Sequence, residues 1–168
     1  MHPHGKSAGA VGAYYVLVRG PLGIGKSTVS KLLANQIGGQ VISIDQILED
    51  HDLWESGARS EFLTANEFAA EQGRALLLRG IPVIFDGNFY WEEQIENLVG
   101  RLNFRHYVFT LAAPLAVCIE RDQRREKPHG RAGAKAVYAK ATAFDWGIGI
   151  DATGPLEATV EEIVSHLS

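Results

Sequence analysis

The sequence predicts an α/β protein of three layers, a five-stranded parallel sheet with helices on both faces, and three observations carry that prediction. An apolar run, Tyr14-Tyr15-Val16-Leu17-Val18, leads directly into the glycine-rich stretch GPLGIGKST at residues 20–28. Short apolar runs then alternate with helix-patterned segments along the chain, the order that sets parallel strands beside crossover helices. The composition, 46% hydrophobic and 21% charged over 168 residues, is that of one globular domain with room for a core.

The elements follow in order. A helix is expected from about Lys26, with Val29, Leu32, Leu33 and Ile37 at helical spacing and Gly38-Gly39 as its stop. Val41-Ile42-Ser43-Ile44 is a second strand ending at Asp45, completing a strand, helix, strand unit of about 30 residues. Residues 46–60, polar and mixed with Trp54 and Gly57, read as a loop or short helices over the site. Residues 61–79 form a long helix ended by Gly80, and Pro82-Val83-Ile84-Phe85 is a third strand with Asp86 at its end. Residues 91–101 place Ile95, Leu98 and Val99 on one helical face, and residues 104–111 are the fourth strand. Pro114 suits the first turn of the next helix, which runs to Arg121. A helix over about 134–144, a short strand at 148–151 and a helix from about 156 to 167 complete the domain, assigned to residues 13–168.

Totals exclude several classes of function. A net charge of −4 gives no general attraction to nucleic acid or anionic lipid. The single cysteine, Cys118, rules out an internal disulfide and any multi-thiolate zinc cluster, and its apolar helical surroundings mark it as a small core residue. No apolar run has the length to cross a bilayer, and residues 1–12 lack an apolar signal core, so a cytoplasmic location is expected. Those residues, His2 and His4 included, are expected to be a disordered arm.

The stretch at 20–28 carries the strongest chemistry. Gly20, Gly25, Lys26 and Ser27 fit G-x-x-x-x-G-K-[ST] between a strand and a helix, where its mechanism requires it. Glycines let successive backbone N–H groups point at phosphate oxygens, and the helix start adds its positive dipole end. Gly20, Gly23, Ile24, Gly25, Lys26, Ser27 and Thr28 are thus candidates for holding ATP, with Lys26 reaching the β- and γ-phosphates and Ser27 a ligand of Mg²⁺. Gly20, Asp45, Asp86 and Ala112 follow directly on strand ends, where ligands of such sheets bind. Asp45 is a candidate base for a substrate hydroxyl, or the N-cap of a helix near Gln46; the uses are not exclusive. Asp86 is a candidate for holding Mg²⁺ or substrate, or the cap of the helix at Trp91. Gly87, Asn88 and Tyr90 would then adjoin the acceptor, with Arg59 in the same pocket.

One basic block stands out. Arg121, Arg124, Arg125, Lys127, Arg131, Lys135 and Lys140, against Asp122 and Glu126, leave a net +5 within residues 121–140. It reads either as a solvated helix end or as a lid over about 122–134 that brings Arg124, Arg125 or Arg131 to the phosphates, hinged at Gly130 and Gly133 around the turn Lys127-Pro128-His129-Gly130.

With these residues in place, nearly the whole chain resembles the small P-loop kinases of the nucleoside-monophosphate-kinase-like fold. It is most similar to the branch with polynucleotide 5′-hydroxyl kinases, zeta-toxin-type kinases, chloramphenicol phosphotransferase, and gluconate and shikimate kinases. The resemblance implies a sheet of strand order 2-3-1-4-5. It also implies Asp45 as base or substrate anchor, lid arginines on the transferred phosphoryl, Arg121 packed on adenine, and Ile150-Asp151-Ala152-Thr153 against the base. Two departures stand out. The third strand continues as Asp86-Gly87-Asn88-Phe89-Tyr90 without the arginine that grips a nucleoside monophosphate, and the glycine-rich triplet of shikimate kinases is absent. The expected activity is therefore transfer of the γ-phosphoryl of ATP, with Mg²⁺, to a hydroxyl of a small molecule or a nucleic-acid end. A nucleoside or nucleotide kinase is the alternative within enzymes. A non-catalytic nucleotide-binding module is the alternative outside them. A GTPase-like switch would need an Asn-Lys-x-Asp segment, and the sequence has none.

Overall fold

The computed structural model describes residues 12–21, 23–53 and 58–167; the expected disordered arm up to residue 11, Trp54, Gly57 and Ser168 lie outside them. Five strands, β1 (Tyr14–Arg19), β2 (Gln40–Ser43), β3 (Val83–Asp86), β4 (Arg105–Ala112) and β5 (Ile148–Asp151), form one sheet. Its order is β2-β3-β1-β4-β5 and every pairing is parallel, as expected. Seven helices connect them: α1 (Lys26–Ile37), α2 (Ile44–Asp50), α3 (Arg59–Leu78), α4 (Glu92–Leu102), α5 (Leu115–Gln123), α6 (Arg131–Ala141) and α7 (Leu156–His166).

The central strands are apolar on both faces because helices cover both. Val16 and Val18 of β1, with Ile84 and Phe109, point to one side and meet Val29 and Leu33 of α1, Cys118 of α5, and Val160 and Ile163 of α7. Tyr15 and Leu17, with Val83 and Phe85, point to the other side and meet Phe62, Ala69 and Leu77 of α3 and Ile95 and Leu98 of α4. Each fully buried aliphatic or aromatic side chain contributes about 1.5–3 kcal/mol to this three-layer packing. Among the described residues no helix is long and apolar enough to cross a membrane.

Two expected boundaries move. β2 stops at Ser43, whose Oγ accepts the Gln46 N–H at 3.2 Å and caps α2. Asp45 is therefore no strand end and no cap; it lies in the first turn of α2, where a carboxylate complements the helix dipole. The helix expected over 134–144 is α6 at Arg131–Ala141, starting directly after Gly130, whose φ of 85° breaks the chain direction. Likewise Asp86 does not cap α4: Trp91 is the N-cap residue, without a side-chain cap bond.

Candidate active site

The carboxyl ends of β1 and β3 and the starts of α1 and α2 face one cavity of about 530 Å³. Its phosphate side is a loop built from backbone. Gly23, with φ 81°, lies so close to α5 that a Cβ there would collide with the Cys118 carbonyl. Gly25 is the N-cap of α1 in the left-handed region, φ 99°, and no side chain caps the helix start. The first N–H groups of α1 thus remain available to an anion. Ser27 and Thr28 are exposed in that first turn on the cavity wall. Lys26 Nζ donates to the Pro21 carbonyl at 3.0 Å, which folds the amine into the loop. Burial lowers the Lys26 pKa, against the pull of Asp86 and Asp45.

Two carboxylates occupy the opposite wall. Asp86, buried at the end of β3 between Val18 and Ser43, is pushed up to about 6 by burial, with Asp45 adding to the rise and Lys26 opposing it. Asp45 is open to the cavity; the protein around it raises its pKa, while Lys26, His129 and Arg125 oppose the rise. Asn88 completes this wall and its amide donates to the Tyr90 hydroxyl at 2.9 Å. Tyr90 itself stands behind the wall, against Phe62 and Trp91, with its pKa pushed up to about 12 by burial and by Asp45.

The basic block divides. Arg121, Arg124 and Arg125 line the cavity. Arg121 is a brace: it donates to the Ile24 carbonyl at 2.9 Å and to the Thr153 and Gly154 carbonyls at 3.0 Å, joining the phosphate loop to the segment before α7. Arg124 pairs with Glu120 at 2.5 Å on the exposed side of α5. Arg131 opens α6, exposed and off the cavity wall.

Other expected site residues also stand apart from the wall. Gly20 packs beneath the loop against Leu111, Ile24 is fully buried, and Gly87 lies under Ile44. Thr153 borders a separate depression of about 420 Å³ with Pro114, Tyr138 and Gly149. Arg59 is engaged outside, paired with Glu93 at 3.0 Å and 5.3 Å from the Trp91 ring centroid.

Three residues escape a reading of the sequence. Leu156 reaches the cavity wall across the chain and packs on Gly25, a contact without local signature. His129 lines the cavity from the turn after α5 and is bonded to Asp122, seven residues earlier. Arg19, fully buried at the end of β1, donates to Thr110 Oγ1 at 3.0 Å, the Phe89 carbonyl at 3.3 Å and the Ala141 carbonyl at 3.0 Å, under the Phe144 ring. An arginine closing an apolar strand looks solvent-bound; here it ties the loop after β3 to the end of α6.

A magnesium site fits these residues. Among the described residues no three His, Cys, Asp or Glu side chains converge as metal ligands, so no all-protein cage exists there. The Ser27 hydroxyl and the Asp86 carboxylate are hard oxygen donors lining the same cavity, the set that suits an ion held chiefly by phosphate and water.

Comparison with known proteins agrees with this architecture. The family AAA_33, described as an AAA domain, matches residues 16–145. A gluconokinase from Sinorhizobium meliloti 1021 superposes with a TM-score of 0.73 at 16% identity, over 98% of this chain and 92% of that one. A sugar kinase from Janibacter sp. HTCC2649 gives a TM-score of 0.76 at 20% identity, over 92% and 94%. The APS kinase CysC of Mycobacterium tuberculosis, in complex with AMPPNP and APS, gives 0.68 at 15%, over 98% of both chains. At these identities the likeness shows the fold. No curated protein matches the chain.

Proposed function

The chain belongs to the AAA_33 family of AAA domains, and on that premise we propose that it is an ATP-dependent kinase which moves the γ-phosphoryl of ATP to a hydroxyl group of a small molecule. One observation carries the reading: a phosphate loop, two carboxylates and two arginines of the α5–α6 turn share the walls of one cavity. Phosphoryl transfer asks for those parts, phosphates held, charge neutralised and an acceptor oxygen aligned. The N–H groups at the start of α1 and Lys26 hold the β- and γ-phosphates. Ser27 and Asp86 would hold Mg²⁺, which when bound would neutralise phosphate charge. Asp45 orients the acceptor hydroxyl and takes its proton. Residues 122–134 act as the lid, and Arg124 and Arg125 stabilise the phosphoryl in transit; Arg131 reaches it only if the lid closes. Arg121, braced on Ile24, Thr153 and Gly154, forms the edge against which the base lies.

The acceptor side favours an alcohol over a nucleotide phosphate. Its wall offers Asp45, Asp86 and Asn88, and Arg59 is already paired with Glu93. The names gluconokinase and sugar kinase among the structural neighbours support a hydroxyl acceptor. A nucleic-acid end, which the finer likeness to polynucleotide kinases would bring, belongs in the same test; transfer to it should fall steeply with salt.

The test is phosphate transfer from γ-labelled ATP with Mg²⁺ to a panel of sugars, cyclic alcohols, nucleosides, monophosphates, phenicol alcohols and 5′-hydroxyl oligonucleotides. Asp45→Ala should lower transfer by on the order of 10²–10⁴-fold while ATP binding persists. ATP binding without turnover in the wild type, with every acceptor and with water, would instead indicate a nucleotide-binding module.

A further inference from the structure

The turn between α5 and α6 is folded around one buried carboxylate. The Asp122 side chain is 1% exposed, yet it receives three donors. Its Oδ1 accepts the His129 backbone N–H at 3.1 Å and the His129 ring Nδ1 at 3.2 Å; its Oδ2 accepts the Gly130 N–H at 3.0 Å. Burial alone would raise the Asp122 pKa, but the His129 and Gly130 donors outweigh it and hold the carboxyl below its usual range.

A carboxylate only accepts, so Nδ1 carries a proton in this arrangement, and Nε2 is the ring nitrogen left for another partner. The His129 side chain is half exposed and forms part of the cavity wall. It stands close enough to Asp45 on α2 for its charge to act on that carboxylate. The other charged groups that share the cavity wall with it are Lys26, Asp86, Arg121, Arg124 and Arg125, with Asp122 beneath the ring. With Nδ1 donating to Asp122, a ring that also donates from Nε2 carries both protons, and the carboxylate beneath it faces that charge.

Resting on the kinase reading above, we propose that His129 is a catalytic residue of the transfer, donating from Nε2 to a non-bridging oxygen of the phosphoryl group in transit, and that Asp122 is the residue that positions it. In the step, the acceptor oxygen bonds to the γ-phosphorus and gives its proton to Asp45. The bond from that phosphorus to the β–γ bridging oxygen breaks, and ADP leaves with the electron pair. His129 keeps its proton throughout and lends only a hydrogen bond. Such a donor is effective because the folded turn aims it beforehand.

The experiment measures kcat and KM for Mg·ATP turnover, to water and to each alcohol of the panel. His129→Gln should lower turnover by on the order of 10²-fold with binding of Mg·ATP little changed. His129→Arg, which keeps a cation and N–H donors at that place, should retain much of the rate. Asp122→Asn should lower kcat while KM for Mg·ATP changes little, and adding His129→Arg to it should restore much of that rate, an effect that loss of turn structure does not allow. Wild-type turnover in His129→Gln overturns the inference while leaving the kinase reading intact. A slower Asp122→Asn whose KM rises as much as its kcat falls, or that His129→Arg fails to rescue, overturns the positioning role. A wild type that turns over no ATP defeats the kinase reading, and this inference with it.

Discussion

The two faces of the sheet solve different problems. On the α1, α5 and α7 side the packing is mainly aliphatic, Val16, Val18, Val29, Leu33, Val160 and Ile163, and it supports a loop whose functional groups are backbone N–H. On the α2, α3 and α4 side the aliphatic packing also takes in the rings of Tyr15, Phe62, Phe85, Phe89 and Phe104, and it supports side chains that would meet the acceptor. Phosphate is the same in every nucleotide, so main-chain geometry can recognise it. An acceptor is particular, and on the proposed reading its recognition would fall to side chains of the cavity wall such as Asp45, Asp86 and Asn88. The segment from α5 to the start of β5 spans both faces, since Cys118 and Tyr138 pack with the first and Phe144 and Trp146 with the second.

If this division holds, the largest loss comes from the phosphate side and is indifferent to the acceptor. Lys26→Ala should lower ATP turnover by on the order of 10³-fold, equally for water and for every alcohol. Steady-state rates against two unlike acceptors check this. A loss confined to one acceptor would break the comparison. On the other face the expected effect is smaller and of another kind. A Cβ at Gly73 would sit 2.5 Å from Phe85 Cζ, and Phe85 is fully buried directly before Asp86. Gly73→Val should therefore destabilise the fold by about 1–3 kcal/mol and lower Tm in a thermal melt. It should also raise KM for the acceptor more than for ATP, because the displaced ring carries the end of β3 with it.

The same contrast explains what the sequence reveals. β1, the glycine-rich loop and α1 are legible because strand, loop and helix must be contiguous for the mechanism to operate. Asp86 is legible because its strand has one short apolar run to end. The sheet order follows from the same pattern together with the resemblance. Asp45 is found but misplaced by the sequence, because Ser43 ends β2 with a cap bond that hydropathy does not register. Arg59 and Arg131 look available as bare letters. Only tertiary packing pairs the first with Glu93 and sets the second off the cavity wall. His129 reads as part of a turn until Asp122 is seen beneath it, and Arg19 until its acceptors arrive from Phe89, Thr110 and Ala141. Local chemistry is legible; chemistry assembled across the chain is not.

The smallest expected effect is the sharpest test, because it has a sign. Asp86 sits where the two faces meet, and burial holds its pKa at about 6, above the ordinary 3.8. Between about pH 4 and pH 6 the folded protein keeps a proton that the unfolded chain has released, so Asp86's contribution to stability falls as pH rises through that window and is level above it. Asp86→Asn carries no such charge. Without nucleotide or Mg²⁺, the variant should match the wild type near pH 4 and exceed it by on the order of 1 kcal/mol above pH 6, read as a higher Tm. Adding Mg·ATP should reverse the order, since binding stabilises the wild type and the variant would lack the carboxylate proposed to hold the metal. Equal melting at every pH would mean that Asp86 is solvated in the folded protein, and its place as a strained carboxylate kept for the metal would fall.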